Sequence, residues 1–314
     1  MAKTHKIDFD KAASGATQNS AAFEDEIKFL CKSTDTSLIN PALEHLRINN
    51  YLLTDPKTEH KYLLISSQYD FENFSLYNRG ITLRVRSTFD HATDTLKTSE
   101  VTLKVNLQSS GVNGLRRFEY SASQDDHGHP DLEALKAAYP LEPNADGVIP
   151  TENQALHDLI NKEIAPRAHE LDKHFNINCL RHRRVVFMNA DQLGLQDQSK
   201  SFATEFIHDE VSYSGKSGQQ VGHHIEWESE VLTQICKYNR FAGDEAFITR
   251  NLSDAEIGIG QEIVRYAMSL AAKSAPAYAA VHETMVGKAE RGFPLVTAAN
   301  NNCIEKQGMA LAAE

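Results

Sequence analysis

Residues 21–30 read AAFEDEIKFL, placing Glu24, Glu26 and Lys28 at alternate positions among Phe23, Ile27 and Phe29. In an extended chain successive side chains go to opposite faces, so the three charges share one face and the three apolar side chains share the other. A strand with one wet face is the ordinary meaning of such a pattern. What gives it weight is that later runs repeat it.

ITLRVR puts Thr82, Arg84 and Arg86 opposite Ile81, Leu83 and Val85, and VTLKVNL puts Lys104 opposite Leu103 and Val105. In RRFEYS, Arg117 and Glu119 share a face; in CLRHRRVVF the charged pair is Arg181 with Arg183, or His182 with Arg184 in the shifted register. TEFIHDEV places Glu205 and Asp209 together, and HHIEWESEV aligns Glu226, Glu228 and Glu230 opposite Ile225, Trp227 and Val231. The basic residues fall in the middle strands and the acids in the first and the last two. A solvated sheet face accounts for amphipathic strands in general, but it does not sort its charges by sign.

Between these runs the chain punctuates itself. Asn40 and Pro41 in INPALEHLRINNYLL mark a helix start, with Leu43, Leu46 and Leu53 as its apolar points. Residues 61–122 hold an antiparallel meander (KYLLISSQYD, ITLRVRSTF, EVTLKVNLQ, LRRFEYSAS), and residues 123–178 read as a helical insertion. Strands resume at INCLRHRRVVFMN, FATEFIHDEVSY and GHHIEWESEVL, the last two joined by the Gly- and Ser-rich hairpin SGKSGQQVG. Helices return over about 253–292: Ser253 and Glu256 form a capping box, and a second helix starts near Pro276 and stops near Gly292. Residues 1–20 read as a flexible leader and 21–314 as one domain. The class is α+β: helices cover the apolar strand faces, and the charged faces turn inward in a closed, antiparallel, eight-stranded β-barrel tunnel. Bare charge at that density is prohibitively costly to bury, so the interior must hold water and a counter-charged ligand. Clustered Lys and Arg fit a polyphosphate, and clustered carboxylates fit a hard divalent cation.

Composition sets the outer bounds. The 314 residues carry 32 Lys and Arg against 43 Asp and Glu, a formal net charge of −11, which opposes general nucleic-acid binding. No run of about 18 apolar residues could span a bilayer, and the N-terminus lacks the apolar core of a signal peptide, so a cytoplasmic protein is expected. Cys31, Cys179, Cys236 and Cys303 are scattered and form no C-x-x-C pair. SGKS at 214–217 lacks the first glycine of a phosphate-binding loop; GIGQEI at 258–263 lacks the third glycine of the G-x-G-x-x-G dinucleotide pattern and lies inside a predicted helix; and His169 and His174 in HELDKH lie five apart, too far around a helix to share one zinc.

Taken in order, Glu24-x-Glu26-x-Lys28, SSQYDFENFSLYNRGITLRVR, VTLKV, RRFEY, a basic strand, an Asp-bearing strand and a late Glu-x-Glu strand resemble the CYTH family of triphosphate tunnel metalloenzymes. The likeness spans about residues 23–231, less the insertion. It implies a metal-dependent triphosphatase acting with Mg²⁺ or Mn²⁺ on a triphosphate-containing small molecule, inorganic tripolyphosphate first. A class IV adenylyl cyclase, a thiamine triphosphatase and a non-catalytic polyphosphate or nucleotide binder are the alternatives. Carried over by position, Glu24, Glu26, Asp209, Glu226 and Glu228 are metal ligands. Lys28, Arg84, Arg86, Lys104, Arg117, and Arg181 and Arg183 from the 181–184 run grip the phosphates. Lys28, Arg84, Arg86 and Glu119 are the catalytic set, and GKAERGF makes Lys288 a lid contact. QYDF departs from the family's usual Tyr-x-Asp-Thr, which leaves Asp70 to a structural role. Neither a membrane nor nucleic acid is implied as a partner, and a homodimer is compatible with the pattern.

Overall fold

In a computed structural model of the chain, residues 23–31, 39–48, 60–107, 115–125, 128–143, 147–194, 200–239, 245–274, 282–284 and 287–311 are described. The expected leader, Leu53 and Pro276 lie outside them. Among the described residues ten strands form one antiparallel sheet: β1 (Phe23–Cys31), β2 (His60–Asp70), β3 (Ile81–Asp90), β4 (Thr95–Asn106), β5 (Leu115–Ser123), β6 (Asp172–Asn189), β7 (Lys200–Gly215), β8 (Gln220–Asn239), β9 (Glu245–Asn251) and β10 (His282–Thr284). Their order is β10-β1-β5-β4-β3-β2-β6-β7-β8-β9.

The expected closed eight-stranded barrel is thereby corrected to an open, curled sheet. Its order ends at β10 and β9 instead of running round eight equivalent strands. Among the described residues the two sides meet along six residue pairs, Glu26–Cys31 of β1 against Ile225–Glu230 of β8. The first half of β1, Phe23–Glu26, pairs with β5, and strands β6, β7 and β8 are 18, 16 and 20 residues long. Strands of such unequal length cannot all be matched to a nine-residue β1, so the walls extend beyond the seam and enclose a trough.

Period-two alternation decides which face is dry. In β3, Ile81, Leu83 and Val85 are buried while Thr82, Arg84 and Arg86 alternate with them. The apolar set joins Val101, Leu103, Val105, Phe118 and Tyr120 of β4 and β5 beneath helices α2 (Leu132–Ala138) and α3 (Thr151–Leu159). On the other side Ile27 and Trp227 pack with Leu43 and Leu46 of α1 (Ile39–Ile48) and with Ile257, Val264 and Met268 of α4 (Asp254–Ser274). Each fully buried side chain of this size contributes roughly 2 kcal/mol, which is why helices cover both outer surfaces. The capping box at the start of α4 is present: Ser253 N donates to Glu256 Oε2 at 2.8 Å and Glu256 N to Ser253 Oγ at 3.4 Å.

Two helix boundaries differ from expectation. The insertion ends at Glu170, after a π-helical turn (Ile160–Ile164) and a 3-10 segment (Ala165–Glu170), and β6 begins at Asp172. Residues 172–178, expected helical, are strand because they pair with β2 and β7, and backbone hydrogen bonds to two neighbours outweigh a weak local helical period. The last helix, α5, runs Lys288–Leu311 straight through Gly292 and Pro294. Gly292 is a packing site and not a stop: a β-carbon there would fall 2.7 Å from Phe175 Cζ and 2.9 Å from Tyr213 Cδ1. Neighbouring Phe293 packs edge-on to Phe175 at 4.9 Å and against Tyr77 at 4.5 Å, seating the head of α5 in one end of the trough. Among the described residues no helix is long and apolar enough to cross a membrane.

Candidate active site

The trough encloses a cavity of about 220 Å³. Lys28 from β1, Arg84 and Arg86 from β3, Lys104 from β4, Arg117 from β5, Arg181 from β6 and Lys288 from α5 all line it, with Glu119, Glu228 and Glu290 as the acidic members. Ser66, Gln68 and Thr82 add neutral hydrogen-bonding groups. The sheet brings these residues together by register: Ser66 lies opposite Arg86, Gln68 opposite Arg84, Thr82 opposite Lys104, and Lys104 opposite Glu119.

Cations dominate this wall. Arg86 donates from Nε to Ser66 Oγ at 3.0 Å; burial, then repulsion from Arg84 and Arg181, pushes its guanidinium down to about 10 despite Glu100 and Glu119. Glu119 is shared: Lys104 Nζ lies 2.8 Å from its Oε2, and Arg84 Nη2 lies 3.4 Å from its Oε1. Glu100 also lies 3.8 Å from Arg84 Nη2, yet the Lys and Arg side chains lining the cavity outnumber its Glu side chains, as an anion site requires.

The acids gather at the β7–β8 side. Asp209 and Glu226 are fully buried and Glu228 nearly so, and one oxygen from each lies within 4.8 Å of the others. Among the described residues four cations contact them: Arg181, Lys28, Lys288 and, on Glu226, Arg291. Arg181 donates from Nε and Nη2 to Asp209 at 2.9 and 2.6 Å and from Nη2 to Glu228 at 2.8 Å. Lys28 Nζ lies 2.5 Å from Glu228 Oε1 and 3.6 Å from Glu226 Oε1. Lys288 Nζ sits among all three, 2.9 Å from Asp209 Oδ2, 2.6 Å from Glu226 Oε1 and in contact with Glu228. Burial alone would raise the Asp209 carboxyl, but Arg181 and Lys288 outweigh it and hold it at about 2. Against the same burial, Lys28, Lys288 and Arg181 keep Glu228 well below the usual carboxylate range, and Asp209 and Glu228 raise Lys288 above its ordinary value. The cluster is therefore anionic at neutral pH and currently served by an ammonium. Nearby, burial and the Arg291 and Lys288 charges lower the His224 imidazole to about 3, so it is neutral.

Of the residues singled out from sequence, Lys28, Arg84, Arg86, Lys104, Arg117, Glu119, Arg181, Glu228 and Lys288 line one cavity, and Asp209 and Glu226 stand behind it in contact with Lys288. The basic strand takes the register that puts Arg181 opposite Asp209 and His182 opposite His208. Arg183 is not brought to the cavity; it forks onto Glu205, donating from Nε at 2.7 Å and from Nη2. The Glu24 and Glu26 side chains lie outside the described residues, and the backbone sets Glu24 opposite Arg117 and Glu26 opposite Glu230. Asp70 is structural: its carboxylate accepts from the backbone N–H of Phe71, Leu76 and Tyr77 at 2.7, 3.0 and 2.8 Å, fixing the turn into β3. Sequence reasoning missed Arg291, ion-paired to Glu226, and Glu290, which accepts from Asn106 Nδ2 at 2.8 Å. Arg291 lies three residues after Lys288, so the helical period could have placed both on one face.

No protein-family model and no curated protein sequence matches the chain. Solved structures similar to it include the PH1819 protein of Pyrococcus horikoshii OT3 (10% identity, TM-score 0.38, 85% of this chain and 96% of that one). The Hippeastrum protein HpAC1, an adenylyl cyclase candidate whose dominant activity is that of a triphosphatase, is another (15%, 0.30, 67% and 80%). A third is the RNA triphosphatase domain of a mimivirus mRNA capping enzyme (10%, 0.32, 86% and 99%). At such identities and scores the site is read from its own geometry: a basic trough beside one buried carboxylate cluster, Asp209, Glu226 and Glu228, that could hold a divalent metal.

Proposed function

We propose that this protein is a metal-dependent triphosphatase that binds the triphosphate chain of a small molecule in the trough and hydrolyses a phosphoanhydride bond, with inorganic tripolyphosphate the first substrate to test. The observation that carries this reading is the juxtaposition, across one cavity, of a wall of cations with a buried three-carboxylate cluster. Either element alone has ordinary explanations. Together they match an anionic chain that arrives with a hard cation.

In this reading Arg84, Arg86, Lys104 and Arg117 take the phosphate oxygens, and the Arg guanidinium forks give bidentate, orientation-specific contacts that lysine cannot. Lys28 and Arg181, which already touch the acids, bridge the two halves of the site. Glu119, released from Lys104 as phosphate replaces it, can orient the attacking water. Asp209, Glu226 and Glu228 would hold Mg²⁺ or Mn²⁺: three carboxylates are the right donors for a hard cation, and they already surround the Lys288 ammonium. Glu24 and Glu26 are assigned to the same ligand set by position in the sequence. When bound, such a cation neutralises charge developing on the phosphates and lowers the pKa of a coordinated water. Lys288 must leave the cluster for this to happen, so α5 competes with the metal.

The test is phosphate release from tripolyphosphate with MgCl₂ or MnCl₂. Turnover should stop in EDTA and fall at least about 100-fold in Asp209→Asn. No phosphate from any triphosphate with either metal would refute the proposal; cyclic AMP from ATP would redirect it to a cyclase.

A further inference from the structure

We propose that His182, His208 and Glu210 form a second cation site, for a first-row transition metal of the Zn²⁺ class, on the outer wall of the sheet. It is separate from the acidic cluster in the trough. The topology creates it. Arg181 and Asp209 are cross-strand partners turned into the trough, so the next pair along, His182 opposite His208, must face outward. Glu210 follows His208 by two residues on β7 and shares that outward face.

One ligand atom from each of the three lies within 4.8 Å of the others. Donors around tetrahedral zinc stand about 3.4 Å apart, for a metal–nitrogen distance of about 2.1 Å. Side-chain rotation on a fixed backbone covers that difference. The chemistry of the set disfavours Mg²⁺: two imidazoles and one carboxylate suit Zn²⁺ and its neighbours, whereas Mg²⁺ prefers all-oxygen shells. Accessibility is graded in the useful direction. His208 is 1% exposed, while His182 and Glu210 are partly open to solvent, which leaves a route of entry and a coordination position for water.

The neighbours orient the buried member. Trp227 lies opposite His208 in register and meets its ring edge-on with centroids 4.9 Å apart. The His182 and His208 rings meet at 5.5 Å and 85°. A ring held by packing loses little further freedom on ligation, which is the role outer-shell partners play at metal sites. Lys61 lies opposite His182 in β2 and is exposed. The consequence is a clamp across β6 and β7, the strands that carry Arg181 and Asp209 on their inner face.

Trp227 is the chain's single tryptophan and sits beside the site, so it reports occupancy directly. The full chain, stripped with chelator and dialysed, is titrated with CuCl₂ while tryptophan emission is followed, and ZnCl₂ is then added as competitor. Stoichiometric quenching at micromolar Cu²⁺, reversed by a large excess of Zn²⁺ because Cu²⁺ binds such donors more tightly, is expected in the parent and in Asp209→Asn. The affinity should fall at least about 10-fold in His182→Asn and in Glu210→Gln, both partly exposed positions whose variants should keep the parent's circular dichroism. Quenching in those two variants that matches the parent would overturn the proposal. So would quenching lost only in Asp209→Asn, which would place the cation in the trough, or its absence up to millimolar metal.

Discussion

The ammonium of Lys288 lies 2.9 Å from Asp209 Oδ2, joining the head of the last helix to a carboxylate 79 positions earlier in the chain. Tyr213 secures the contact by donating its hydroxyl to the Lys288 carbonyl at 3.0 Å. The same nitrogen touches Glu226 and Glu228. A helix of the outer layer thus supplies the charge that stabilises the acidic cluster, and the cluster is in turn what seats the helix.

Lys288→Met removes that charge while keeping the stem. Among the described residues the three buried carboxylates then share Lys28, Arg181 and Arg291, and breaking one buried ion pair costs on the order of 3 kcal/mol. Thermal melts should show the variant well below the parent in EDTA and recovering most of the loss in Mn²⁺. Equal losses with and without the metal would show that cation and lysine do not compete.

Arg84→Ala and Arg86→Ala each remove one phosphate-facing fork. A charge-assisted hydrogen bond is worth about 1.5–3 kcal/mol, so KM for tripolyphosphate should rise roughly 10- to 100-fold, with added salt narrowing the gap. Glu119→Gln should instead lower kcat more than it raises KM. Steady-state kinetics at two ionic strengths separates the two effects.

The Asp209 carboxyl, held at about 2 against an ordinary value of 3.8, makes stability depend on pH in a defined direction. Its folded value is depressed, so the contribution is fully present above about pH 4 and is lost as pH falls from there towards 2. It is on the order of 2 kcal/mol. Urea melts of the metal-free protein between pH 6 and 2.5 should show the parent losing stability more steeply than Asp209→Asn over that lower window.

Gly292→Ala adds a methyl that meets Phe175 and Tyr213. Overpacking of this kind costs about 1–3 kcal/mol, and the least costly relief is for α5 to shift away from the trough. Melting temperature should drop, and Mn²⁺ affinity measured by calorimetry should increase as Lys288 is drawn off the acids.

Which parts of this architecture were legible in sequence follows from how local each one is. Side-chain alternation is a property of single strands, so the shared faces of Arg84 with Arg86, of Arg117 with Glu119 and of Glu226 with Glu228 could be read directly. The Ser253 capping box is equally local, three residues wide. The choice between Arg181 and His182 was not, because both alternations fit one strand and only its pairing with β7 selects between them. The extent of α5 was hidden for the same reason: Gly292 and Pro294 look like terminators until Phe175 and Tyr213 are placed against them. Unequal strand lengths, set by pairing partners, turned an expected closed barrel into a curled, partly seamed sheet.

By itself, then, the sequence determined the meander, the inward charge of its strands and the identity of most cavity residues, because these depend on a two-residue period and on the cost of burying charge. Tertiary structure alone decided who neutralises whom. Lys28 meets Glu228 across 200 residues, Arg183 is diverted to Glu205, and Lys288 enters the acidic cluster. Those pairings are set by register and helix docking between segments far apart in the chain, where no local period carries information.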